Sequence, residues 1–88
     1  MSISSPNTLI TKLIDTAHRF RLGEEAEGSR HLRVCLDHLE PLLSNLTDAN
    51  LILEKLPEMM AAQERHDWLA LADYLEYELP PLLQSTSN

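Results

Sequence analysis

Apolar side chains return every third or fourth residue along almost the whole chain, and that rhythm admits little besides packed helices. Leu9, Ile10, Leu13, Ile14, Ala17 and Phe20 fall on one stripe when successive residues are turned by about 100°. Leu32, Cys35, Leu36, Leu39, Leu43 and Leu46 make a second stripe. Ile52, Leu56, Met59, Met60 and Gln63 make a third, and Trp68, Leu71, Ala72, Leu75, Leu79 and Leu82 a fourth. Period-two alternation is absent and β-branched residues are sparse, so no strand pattern competes. The pattern predicts an all-α fold, an antiparallel bundle of three or four helices over about 7–22, 25–44, 48–65 and 67–84.

The stops and starts are chemical. Pro6 suits a first helical turn, and Ser5 or Asn7 can cap it. Gly23 after Leu22 can take the left-handed conformation that ends a helix. The acidic run Glu24, Glu25, Glu27 then suits the start of the next. The alternative is one unbroken helix over residues 7–45, about 60 Å long at about 1.5 Å per residue, which the rest of the chain covers only as a dimer. The break at Gly23 is the favoured reading. Pro41 should kink or end the second helix near Asp37–Glu40. Pro57 should kink the third or split it in two. Asp67 is a good N-cap for the last helix, and Pro80-Pro81 limits it, although a turn can resume at Leu82. Residues 1–6 and 85–88 are expected to flank one domain, residues 7–84, as a flexible N-terminus and a disordered tail.

Composition narrows the function. The net charge is −7, whereas binding to nucleic-acid phosphates needs clustered Lys and Arg. No run approaches the roughly 20 apolar residues of a membrane span, and Met1–Asn7 does not read as a secretory signal. The single cysteine excludes an internal disulfide. A cytoplasmic protein is expected.

Three groupings bear on chemistry. His31, Cys35 and His38 share a helical arc of about 60° and form a candidate transition-metal set. The blander account makes Cys35 a small buried hydrophobe with the histidines at the core margin, since no short-spaced Cys pair accompanies them. Cys35 with either histidine is equally poor as a nucleophile pair, for want of an oxyanion pocket. Glu64, His66, Asp67 and Asp73 cluster near a corner, but no nucleophile or phosphate-binding glycine loop joins them, and Asp67 is better read as a cap. Asp73, Tyr74, Glu76, Tyr77 and Glu78 form an acidic, aromatic strip beside the Trp68 stripe. Tyrosine on an exposed helix is a frequent interface anchor. Lys12, Arg19 and Arg21 make the first helix basic where the last is acidic, which favours pairing within the chain or antiparallel self-association.

The segment from Ala61 to Leu79 contains Asp67-Trp68-Leu69-Ala70-Leu71-Ala72-Asp73-Tyr74-Leu75-Glu76-Tyr77-Glu78-Leu79, followed by proline. It resembles the C-terminal hairpin of a family of uncharacterised bacterial helical domains. The likeness is detailed over about a quarter of the chain and implies a helical fold and a bacterial source, with no activity attached. The Asp67-Trp68-x-x-Leu71 corner is also similar to that of small flagellar-export chaperones, acidic bundles that bind amphipathic segments. The expectation is therefore a non-enzymatic interaction or adaptor module without a cofactor. A partner helix, or a second copy, would pack on a Leu- and Met-lined groove with Met59 and Met60 in it and Tyr74, Tyr77, Asp73 and Glu76 at its rim. An export chaperone and a metal-binding protein are the alternatives.

Overall fold

Gly23 decides the architecture. In the computed structural model, which describes residues 6–84, it adopts φ +83° just past the end of helix α1, Pro6–Arg21. The Gly23 amide donates to the Phe20 carbonyl at 3.1 Å and the Glu24 amide to that of Arg19 at 2.9 Å, closing the end of the helix. The chain reverses into α2, Glu25–Leu42, which starts with Glu25 and Glu27 at its positive end. The single long helix is thereby excluded. A 3-10 turn, Leu43–Asn45, leads to α3, Ala49–Glu64.

The corner after α3 uses the same hydrogen-bond pattern without a glycine. His66 holds φ +59°, a conformation most side chains avoid. The amides of His66 and Asp67 donate to the carbonyls of Gln63 and Ala62 at 3.1 and 2.8 Å. The Asp67 carboxylate then accepts from the Ala70 amide at 3.2 Å and starts α4, Trp68–Asp73.

The last helical segment is composite. A π-helical turn, Tyr74–Glu78, joins α4 to α5, Leu79–Gln84. Pro80 and Pro81 explain the widening. Neither has an N–H to give, and in a tight α-turn each ring would press on the carbonyl four residues earlier. Bonding to the fifth preceding residue, as the Leu79 amide does to Tyr74, relaxes that crowding. Proline did not end the other helices. Pro41 lies in the last turn of α2, which runs on to Leu42, and Pro57 lies inside an uninterrupted α3. Both are on the exposed side, as are Asp37 and Leu53 four residues earlier, whose carbonyls can turn to water in place of the missing N–H.

α1 is the central element. It lies against α2 on one side and against α4, the π turn and α5 on the other; α3 packs on α4 and α5. The result is four packed helical segments measuring 37 × 28 × 18 Å, about two helix diameters thick. The core is largely leucine, with Phe20, Ile52, Met59 and the wholly buried Thr16. No strand occurs among the described residues, and no helix there is long and apolar enough to cross a membrane. Residues 1–5 and 85–88, the expected flexible ends, lie outside the described residues; Pro6 already belongs to α1.

One close approach locks α1 to α2. A Cβ on Gly28 would stand 2.7 Å from two atoms of the Phe20 ring. That ring stacks on Trp68, with centroids 5.2 Å apart and planes within 3°. His66 also stacks on the indole, with centroids 5.3 Å apart. The stack ties together α1, α2 and the α3–α4 corner.

Candidate functional site

The proposed metal set does not converge. Cys35 points into the core, where its Sγ lies 3.5 Å from the Thr16 hydroxyl. That hydroxyl itself donates to the Lys12 carbonyl at 2.7 Å. Burial pushes the Cys35 thiol pKa up and so disfavours the thiolate a metal or substrate needs. His31 turns towards Glu27 at 3.8 Å. Among the described residues no three His, Cys, Asp or Glu side chains are placed to hold a metal ion. The Lys12 charge acts on both Cys35 and His38, a poor setting for a divalent cation.

His38 is the unusual member. Both ring nitrogens are shielded from solvent and make no hydrogen bond among the described residues. Burial, with Lys12 adding to it, lowers its pKa below the ordinary histidine value. As pH falls through about 6.5 the unfolded chain takes up this proton first, so stability is lost from there down to the lower folded value. Above that window both states are neutral here and the stability is intact. His38→Leu is expected to lose less stability than the wild type between about pH 7.5 and 5.5, measured by urea denaturation. Identical slopes would remove His38 as the source.

The corner acids are structural. Asp67 caps α4 and meets Arg65 at 3.6 Å. Asp73 meets Arg21 at 2.9 Å, and Glu76 meets Arg21 at 3.1 Å and His18 at 3.6 Å. The basic first helix and the acidic last one therefore pair within the chain. These bonds are exposed and contribute modestly.

The two tyrosines separate. The Tyr74 hydroxyl donates to Glu58 of α3 at 2.7 Å, and Lys55 lies 6.0 Å from its ring centre. Lys55 also pairs with Glu78 at 3.2 Å. These residues line a small polar hollow with Asp73 and Ala70. The Tyr77 ring is 63% exposed and faces Arg21 on α1, whose guanidinium carbon is 5.7 Å from the ring centre. Both belong to the widened π turn, which sets them further apart around the axis than an α-helix would.

The apolar groove is elsewhere, between α2 and α3, which approach each other closely at few points. Its wide end has a cavity volume of about 360 Å³, lined by Leu36, Leu39 and Leu43 from the α2 side and Leu53, Leu56 and Met60 from α3. Asp37 and Glu40 form its polar edge. A second hollow of about 270 Å³, with Ser29, Leu32, Arg33 and Gln63, shares Leu36 and Met60 with the first. The two adjoin as a trough from Leu43 to Ser29, about 21 Å at about 1.5 Å per residue, and at the Ser29 end Gln63 donates across it to the Ser29 hydroxyl at 3.5 Å.

Met60 lies in this trough as expected. Met59 does not: it is wholly enclosed in the core, because one residue turns a helical side chain by about 100°. Tyr74, Tyr77, Asp73 and Glu76 do not rim it either; they belong to the opposite faces just described. Leu53 was the missed member. Its signal is an off-stripe leucine, 47% exposed beside the buried Ile52.

Residues 6–88 match the model of a family described as Domain of unknown function (DUF8042). No curated protein and no solved structure matches the chain.

Proposed function

We propose, from the premise that the chain belongs to the DUF8042 family and that its description carries no activity, that this protein is a non-enzymatic interaction module. Its working surface is the α2–α3 trough, and its ligand is a helix of a partner protein.

The observation that carries this reading is the shape and chemistry of the trough. It follows two helices of one bundle, is apolar at its wide end, and becomes polar towards the narrow end, where Gln63 and Ser29 bridge it. Such a trough accepts an amphipathic helix by its apolar stripe. Met60 on the floor gives an adaptable contact. A catalytic reading finds less to stand on, because the titratable groups of the corner and of α2 are paired, capped or buried separately.

Leu53→Glu tests the reading. The side chain is half exposed, so helicity and the denaturation midpoint are expected to hold to within about 0.5 kcal/mol. Amphipathic helices selected by display against the wild-type protein should bind this variant at least tenfold more weakly. Equal affinity would move the binding surface away from the trough and overturn the reading.

A further inference from the structure

We infer that the helix received by the α2–α3 trough comes from a different protein and carries Lys or Arg along the flank that meets Asp37 and Glu40. The inference rests on the groove reading above and adds the partner's chemistry.

The first support is the edge of the wide end. Its two charged lining residues are both acidic. The Glu40 side chain makes no ion pair or hydrogen bond among the described residues. Asp37 has only Arg33, at 3.9 Å and on highly exposed side chains, a bond that yields readily to a better cation. Backbone polarity acts in the same direction. α2 ends here, with no basic residue in its last turn, so the negative end of its dipole is left uncompensated by its own side chains. An incoming cation meets favourable potential from two independent sources.

The second support concerns what a second copy has to offer. Arg19, Arg21, Arg30, Arg33, Lys55 and Arg65 each stand in an ion pair within their own chain. Lys12 is the remaining basic side chain, and it lines a different hollow between α1 and α2. A second copy would bring a net charge of −7 to an acidic rim, and every cation but Lys12 would have to leave an acidic partner of its own, though Arg30 and Arg33 only a long and exposed one. Self-docking is thus opposed by charge, whereas a basic partner is steered in. The narrow end, with Arg33 and the neutral Ser29 and Gln63, has no such preference. The partner's cations should gather towards one end of its helix.

A displayed library of helices of about 14 residues, the length of the trough, tests this. The apolar stripe is fixed and the flanks vary among Lys, Glu, Gln and Ser. Selection against the full chain is expected to enrich Lys over Glu on the flanks. A selected Lys-flanked helix should then lose about tenfold in affinity for Asp37→Lys/Glu40→Lys, whose altered positions are exposed, with helicity followed by circular dichroism. A Glu-flanked helix should gain on the same protein. Selected helices without charge bias that still depend on Leu53 would overturn this inference and leave the groove reading standing. No Leu53-dependent helix at all would overturn both. A dimer in light scattering that Leu53→Glu dissolves would make the second copy the occupant and overturn the inference.

Discussion

Phe20→Ala is expected to destabilise the fold by about 3–5 kcal/mol, the range for removing a buried aromatic ring. The ring is 2% exposed. It fills the space left by Gly28 and stacks on Trp68, so its loss opens a hole bounded by α1, α2 and α4. Those neighbours are held by their own helices and cannot close in. A chain of this size has roughly 4–13 kcal/mol of stability in total, from about 0.05–0.15 kcal/mol per residue. The variant should therefore unfold at much lower urea, and the Trp68 fluorescence that reports it should change already in the native baseline. A loss below about 1 kcal/mol would mean that the three-way contact is not what joins these helices.

Gly28→Ala is expected to change sign with its background. In the wild type the added methyl meets the Phe20 ring at 2.7 Å. The ring is pinned by Trp68 and cannot swing away, so overpacking of about 1–3 kcal/mol results. In Phe20→Ala the same methyl enters vacated space, and alanine then favours the helix by about 0.5–1 kcal/mol over glycine. A double-mutant cycle by chemical denaturation reads the difference as coupling between the two sites. Additive effects would contradict the close approach.

The helices were readable because their ends are written in side-chain chemistry. Gly23 and Asp67 do locally what their residue types predict, and the observed bounds fall within two residues of the expected ones. His66 was opaque for the opposite reason. Its left-handed backbone is held by the corner's hydrogen bonds, and histidine's modest tolerance of positive φ is too weak a signal to announce it. Pro41 and Pro57 were expected to kink or end their helices; both helices run past them, and as both prolines face outward, the carbonyls they leave without a donor can bond to water.

The candidate groove was not placed by the sequence. Met59 and Met60 suggested an adaptable groove with Tyr74 and Tyr77 at its rim, but a helical wheel does not say how far apart two helices stand. Leu36, Leu43 and Met60 look like core positions on the wheel. They become groove walls because α2 packs on α1 and α3 packs on α4 and α5, so that α2 and α3 do not close over them. The tyrosines looked like one patch because they are close in sequence. The π turn divides them, and no composition signal marks it except the Pro80-Pro81 pair that follows.

That turn also keeps count for the leucines around it. Leu71, Leu75, Leu79 and Leu83 are all essentially unexposed, although a strict four-residue repeat on an α-helix drifts by about 40° at each step. The wider turn absorbs the drift, so the last of them reaches the interior where uninterrupted α-phase would have sent Leu82. A chain shortened by one residue between Tyr74 and Glu78 would gain a more regular helix and still turn the present Leu83 inward, since it would then stand where an uninterrupted helix places Leu82. In this segment, at its present length, an imperfection in hydrogen bonding is the condition for a straight seam.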